Sequence, residues 1–352
     1  MKAWVLHGAN DIRWELADKP AMGKGEVLVA VKAAGICGSD IPRIYKTGAH
    51  VHPLIPGHEF SGMVVGIGEG VDCAWQGKRV GIFPLIPCGK CKPCLEKQFE
   101  MCRQYDYLGS RRDGGFAEYV TVPVNNLIAL PEGVTYEEAA MLEPMAVAVH
   151  AMRRVGPKKT ETIAVCGLGT IGLLLLMFLL EDREDKEGIF AIGNKEFQKQ
   201  QAVALGLPEA SYCDSRKEDV GNWLQERTNG GADVFFECVG KNDTVVQAVN
   251  DTAPAGRICL VGNPASHMSL EKEVYWKILR NQQTIMGTWN SSFTGEETDD
   301  WHYVLERLVQ NRVAPEGLIS HKFSLEALEK GLRIMGDKSE DYVKIMACQE
   351  ER

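Results

Sequence analysis

Residues 162–180 read TIAVCGLGTIGLLLLMFLL, and the order of residue types in this stretch decides the fold around it. A short apolar run of strand character, Thr162–Cys166, enters the turn Gly167-Leu168-Gly169-Thr170-Ile171-Gly172, and an unbroken apolar run long enough for a helix follows. Taken alone, G-x-G-x-x-G is a common glycine turn. Set between a strand and a helix it is a dinucleotide fingerprint. Gly167 permits the tight turn, Gly169 lets a pyrophosphate approach the backbone, and Gly172 lets the helix pack closely on the strand. The helix start at Thr170 and Ile171 offers unpaired N–H groups to the phosphate charge.

Downstream the same rhythm repeats, with apolar strands GIFAIG (188–193), VFFECVG (234–240) and RICLVG (257–262) separated by amphipathic helices. That alternation predicts a parallel sheet of βαβ units. The charged stretch 181–187, EDREDKE, reads as a solvated loop. After about Gly287 the rhythm stops, and 299–310 and 325–335 read as helices that return the chain to its first part. Upstream, residues 1–126 are short β-rich segments such as 26–33, 62–68 and 116–122, broken by glycine and proline, which predicts an all-β, barrel-like region. From Tyr136 to Arg154 the apolar spacing turns helical. The expectation is an α/β chain in which 152–287 form the dinucleotide-binding domain and 1–151 with 288–352 form the other.

At 352 residues, 45% apolar and 25% charged, two globular domains are expected. The formal charge of −9 argues against nucleic acid or an anionic membrane as partner. The apolar run 171–180 is far short of the ~20 residues of a membrane span. No secretory h-region precedes the eleven cysteines, so a cytoplasmic protein with reduced thiols is expected.

The residues after the second strand speak to the cofactor. An NAD site usually has Asp or Glu there, accepting from the ribose hydroxyls and repelling a 2′-phosphate. Here Gly193, Asn194 and Lys195 put an amide and a cation in that place, which favours NADP over NAD. Glu196 argues the other way. Tyr212, expected at the end of the third strand, reads either as a cover for the adenine face or as a half-buried core tyrosine.

Four cysteines, Cys88, Cys91, Cys94 and Cys102, give C-x2-C-x2-C-x7-C in a polar lobe of about 86–104. This spacing brings four thiolates to one tetrahedral metal, a closed structural zinc site. By itself such a lobe would also suit a zinc ribbon that binds nucleic acid or protein. Cys37 in GICGSD, His58 and Glu59 in PGHEFSG, and Glu143 in LEPMAV are scattered zinc-ligand types, each with an ordinary explanation as a buried thiol, a turn histidine or an exposed acid.

In combination these motifs resemble the medium-chain zinc-dependent alcohol and polyol dehydrogenases: GICGSD, PGHEFSG, the cysteine lobe, DGGFAEY, LEP and GLGTIG recur in that family's order over essentially the whole chain. The stretches CGSDIPRIYKTGAH, PLIPCGKCKPC, YDYLGSRRDGGFAEY and KILRNQQTIMGTWNSS are most similar to its polyol-phosphate members. The resemblance implies a GroES-like catalytic domain interrupted in sequence by a Rossmann domain, and two Zn2+ per chain. It implies a catalytic zinc on Cys37, His58 and Glu143, with Glu59 as the alternative ligand, and hydride transfer between a secondary hydroxyl of a polyol or sugar-alcohol phosphate and NAD(P). Ser39 is the candidate to hydrogen-bond the reacting oxygen, His50 the solvent end of a proton relay, and Asp40 an orienting carboxylate. A phosphorylated substrate needs a local anion site, for which Arg111, Arg112, Lys46 and Arg43 are the available cations. Unphosphorylated polyols or secondary alcohols are the alternative substrates. A zinc-free quinone reductase would lack these ligands. Gly193-Asn194-Lys195 departs from the family, whose close members tend to carry aspartate there and use NAD, as does a slightly longer segment before the second strand. Relatives form homodimers or homotetramers, and 257–261 and 284–287 are the strands that could pair across a subunit edge.

Overall fold

The structure, a computed structural model, describes residues 1–264 and 266–349. It divides into two compact units, Met1–Pro144 with Ser292–Arg352, and Met145–Ser291. The division after Pro144 falls inside the helix Leu142–Val155, earlier than the expected 151, because no change of composition marks a boundary within a continuous helix.

The first unit is built on a seven-stranded sheet around the long strand Glu26–Ile36. That strand pairs antiparallel with Glu59–Ile67, Tyr119–Pro123 and Lys344–Cys348. Val27, Val29 and Val31 alternate along it and are at most 2% exposed, the period-two pattern of a strand with one face in the core. The expected helical stretch 136–154 is two helices, Tyr136–Ala140 and Leu142–Val155. The first is opened by a capping box between Thr135 and Glu138. The return helices are Asp300–Val309 and Leu328–Asp337.

The second unit carries six strands: β1 Ile163–Cys166, β2 Ile189–Gly193, β3 Tyr212–Asp214, β4 Ala232–Glu237, β5 Thr252–Leu260 and β6 Thr284–Gly287. They form one parallel sheet in the order β3-β2-β1-β4-β5-β6. The chain therefore winds outward one way from β1 and then the other way from β4, which opens a crevice at the carboxyl ends of these two central strands. The helix Thr170–Glu181 starts at that crevice and is buried from Gly172 to Leu180, as an all-apolar helix must be.

Three expectations change here. Segment 181–187 is not wholly solvated: Arg183 is 6% exposed, and its guanidinium donates to the carbonyls of Glu161, at 2.7 Å, and Lys158. Arg257–Leu260 cannot pair across a subunit edge, because β5 lies between β4 and β6, whereas β6 ends the sheet. Tyr212 opens β3 rather than closing it, since the strand continues to Asp214.

Candidate functional site

In the cysteine lobe, the short helix Lys92–Leu95 sets Cys91 at its N-cap and Cys94 inside it, and a 3-10 turn Phe99–Met101 delivers Cys102. The four Sγ atoms all lie within 4.8 Å of one another. The Cys91–Cys94 separation is 3.4 Å, and Cys88–Cys94 and Cys91–Cys102 are 3.9 Å. A disulfide needs ~2.05 Å. A tetrahedron with 2.3 Å zinc–sulfur bonds has edges of about 3.8 Å, so the set fits zinc. The Cys88 N–H donates to Cys102 Sγ at 3.2 Å. Backbone N–H groups of Arg103 and Cys94 lower the Cys91 thiol to about 6, while burial and the neighbouring thiols push Cys94 up to about 12.

The second cluster is assembled by strand register. Gly35 faces Glu59 across the antiparallel pair, which puts Cys37, just past the strand Glu26–Ile36, beside His58 and Glu59. A Cβ on Gly35 would stand 2.4 Å from Glu59 Oε2, so glycine leaves the room the carboxylate occupies. Among the described residues, Cys37, His58 and Glu59 bring one ligand atom each within 4.8 Å of the others, with His58 and Glu59 4% and 1% exposed. This changes the ranking of the carboxylates: Glu59, the alternative in the sequence reading, converges with Cys37 and His58. Glu143 does not join that group. It is buried, accepts from the Tyr107 hydroxyl at 3.2 Å, and is pushed up to about 7 by burial, with His58 opposing and Glu59 adding.

Charged neighbours set the state of these donors. Asp40, wholly buried, accepts from the Cys37 N–H at 3.0 Å and from Arg43 at 2.6 Å, and its Oδ1 faces His58 Nδ1 at 3.4 Å without a formed hydrogen bond. Burial pulls His58 down, but Asp40 and Cys37 outweigh it and hold the imidazole well above its ordinary value. With Nδ1 turned to Asp40, Nε2 is the ring nitrogen available to a metal. Buried Lys344 donates to the Ile36 carbonyl at 3.1 Å and pairs with Glu59. Burial opposes its charge, yet Glu59 and Cys37 leave its pKa raised. A soft sulfur donor, an imidazole and a carboxylate in one group suit a zinc ion with an open position. Ser39 donates to Cys37 Sγ at 3.3 Å, which places its hydroxyl beside the cluster. His50 is exposed.

The adjacent arginines part company. Arg112 pairs with Glu26 and lies 3.5 Å from the Thr121 hydroxyl, so it is committed within the sheet and withdrawn as a phosphate candidate. Arg111 is exposed and lies over the Tyr105 ring at 4.6 Å; that ring meets Tyr107, and Tyr107 meets His58 with centroids 5.8 Å apart. Lys46 is exposed, and Arg43 is taken by Asp40.

In the second unit Gly167 has φ +95°, and a Cβ on Gly172 would stand 1.9 Å from the Gly167 carbonyl. A Cβ on Gly169 would meet nothing within 4 Å, leaving open space before the helix that begins at Thr170 and Ile171. The cradle fits a dinucleotide pyrophosphate. Gly193 ends β2 with Tyr212 beneath it, where a Cβ would be 2.5 Å from the tyrosine oxygen. The Tyr212 hydroxyl donates to the Lys195 carbonyl at 2.9 Å, and the Asn194 N–H donates to Gln198 at 2.9 Å. Tyr212, 8% exposed, therefore braces the 193–195 loop from below, as the core reading of this residue expects.

Lys344 and Tyr107 were not among the residues singled out from sequence. Lys344 had a signal, a lone cation in the apolar strand text YVKIMA, whereas Tyr107 had none that distinguishes it from Tyr105.

Comparison with known proteins identifies the two parts of the chain. Residues 23–132 match the alcohol dehydrogenase GroES-like domain, and 188–310 match the zinc-binding dehydrogenase family. The galactitol 1-phosphate 5-dehydrogenase of Escherichia coli K12 is 33% identical over 310 residues, 88% of each chain. A crystal structure of galactitol-1-phosphate dehydrogenase from Escherichia coli superposes with a TM-score of 0.90 at 31% identity, covering 99% of this chain and 100% of the other. A zinc-binding dehydrogenase from Sinorhizobium meliloti 1021 bound to NADP and a dehydrogenase from Escherichia coli CFT073 complexed with NADH are each 26% identical, with TM-scores of 0.88 and 0.89 and 99% coverage of both chains.

Proposed function

The chain belongs to the medium-chain, zinc-type alcohol and polyol dehydrogenase family, and on that premise we propose that it oxidises a secondary hydroxyl of a sugar-alcohol phosphate with NADP, or reduces the matching ketone. The observation that carries the reading is the Cys37–His58–Glu59 cluster, with His58 and Glu59 buried and with its own orienting carboxylate and cation. Zinc held there supplies a Lewis acid that acidifies the substrate hydroxyl, and the nicotinamide supplies the hydride acceptor. Cys37 and His58 with Glu59 would hold the metal. Glu143, near neutrality in its pKa and tied to Tyr107, is the carboxylate placed to exchange with Glu59. Ser39 takes the hydroxyl proton, and His50 stands at the solvent end of the relay. Asp40 keeps the His58 ring in its ligating orientation. The second zinc belongs to Cys88, Cys91, Cys94 and Cys102.

Arg111, with Lys46, is the cation assigned to the substrate phosphate, because its stack on Tyr105 leads to Tyr107 and the cluster. Asn194 and Lys195 are assigned to the 2′-phosphate of NADP. The galactitol-1-phosphate relatives support the phosphorylated substrate. A homo-oligomer is supported by β6, which ends its sheet near exposed Tyr275, Trp276, Leu279 and Trp289. A cytoplasmic setting is supported by eleven free cysteines; no helix among the described residues is long and apolar enough to cross a membrane.

The test is a spectrophotometric screen of NAD and NADP reduction against paired free and phosphorylated polyols, together with zinc analysis. Expected are faster turnover of the phosphorylated member, preference for NADP, and two zinc per chain. Equal kcat/KM for both members of each pair removes the phosphate assignment, and an NAD preference of about tenfold removes the NADP assignment.

A further inference from the structure

The carboxylate that the end of β2 lacks stands one strand over. Parallel register sets Asp214 level with Gly193, and the Ser215 N–H donates to the Gly193 carbonyl at 2.9 Å. Asp214 is buried and grips the Arg216 guanidinium at two points, Nε to Oδ1 at 3.0 Å and Nη2 to Oδ2 at 2.8 Å. The Arg216 N–H also reaches Oδ1, at 3.1 Å, and Lys217 Nζ lies 3.3 Å from Oδ2. These donors hold the Asp214 carboxyl well below the usual carboxylate range.

An arginine side chain offers five N–H donors. Asp214 takes two of them from Arg216, the remainder have no partner among the described residues, and the side chain is 53% exposed. The guanidinium is thus fixed in direction and half open, at the carboxyl edge of the sheet, beside the 193–195 loop. Ligands of parallel sheets lie outside the carboxyl ends of the strands, and the ribose 2′ position lies at the end of the second one. Lys195, Arg216 and Lys217 balance Asp214, Glu196 and Glu218 in this corner, so what it offers a phosphate monoester is the open edge of the Arg216 fork. A fork already held on one edge by a carboxylate loses little freedom in binding phosphate with the other.

We propose that Arg216 is a 2′-phosphate-binding residue of the dinucleotide site, with Asp214 as its positioning partner. The proposal rests on the NADP reading above and adds to it a residue that lies outside the segment following β2. Arg216 thus selects between the two nicotinamide cofactors through binding of the phosphate that distinguishes them.

The experiment compares the binding of 2′,5′-ADP and 5′-AMP to the zinc-loaded enzyme, for the wild type, R216A and R216K, with NADP and NAD kinetics in parallel. The wild type is expected to bind 2′,5′-ADP more tightly, and R216A to lose about tenfold of that margin, with 5′-AMP affinity unchanged. R216K restores part of the margin, since it keeps the charge but not the fork. If the wild type favours 2′,5′-ADP and R216A keeps the whole margin, the Arg216 assignment is wrong while the NADP reading stands. If the wild type binds the two nucleotides equally, both fall, and Glu196 becomes the group that accepts from the ribose hydroxyls.

Discussion

The two metal-fitting clusters are built on opposite plans. In the lobe, four copies of one donor type sit in one short loop, and backbone N–H groups and the thiols themselves set their protonation. In the mixed cluster three different donors are set by charged and polar neighbours: His58 by Asp40, Glu59 by Lys344, and Cys37 by Ser39 and, through its N–H, by the same Asp40 carboxylate. A saturated ring of thiolates has no position left for a substrate, whereas a mixed set with charged neighbours can be tuned. Damage to the lobe should therefore register as lost stability, and damage to the mixed cluster as lost chemistry.

The largest effect that probes this contrast is Cys37→Ser. It is expected to lower kcat/KM by about a thousandfold or more and to remove one zinc per chain, with little change in Tm. A comparable fall in Tm would erase the distinction between the two sites. Cys94→Ser is the converse, expected to remove the other zinc and lower Tm by about 10 °C, with turnover of the remaining folded enzyme nearly intact. Lys344→Met sharpens the electrostatic side: it strands the Glu59 carboxylate in the core and should cost about 3 kcal/mol in denaturant unfolding. The double variant with Glu59→Gln should recover most of that, because neither charge is then left alone. The smallest effect concerns the zinc-stripped lobe. Cys91 is thiolate above about pH 6 and Cys94 stays protonated until about 12, so alkylation at pH 7 should modify Cys91 first. Equal rates at the two positions would show that the backbone does not hold the lobe in its metal-ready form.

What was legible in the sequence follows the range of the interactions. The glycine fingerprint and the cysteine lobe could be read because each is a local pattern in which spacing alone fixes geometry. The mixed cluster required the family resemblance, because strand register and not sequence proximity brings Glu59 beside Cys37. Arg111 and Arg112 looked alike as neighbours, yet a tight turn sends one to Tyr105 and the other to Glu26. Tyr212 read either as an adenine cover or as a core tyrosine, because nothing in its local text reveals that Gly193 makes room for its hydroxyl.

The pairing of Glu59 with Lys344, 285 positions later in the chain, also has a consequence in time. At about 5–20 residues per second, a ribosome completes Glu59 roughly 15–60 s before its counter-ion exists. Until then the carboxylate can be paired only by water, and burying it would leave an unbalanced charge in the core. Residues 145–291, made in the interval, can complete their own sheet first. The Glu59 side of this ion pair is therefore laid down early in synthesis and closed late.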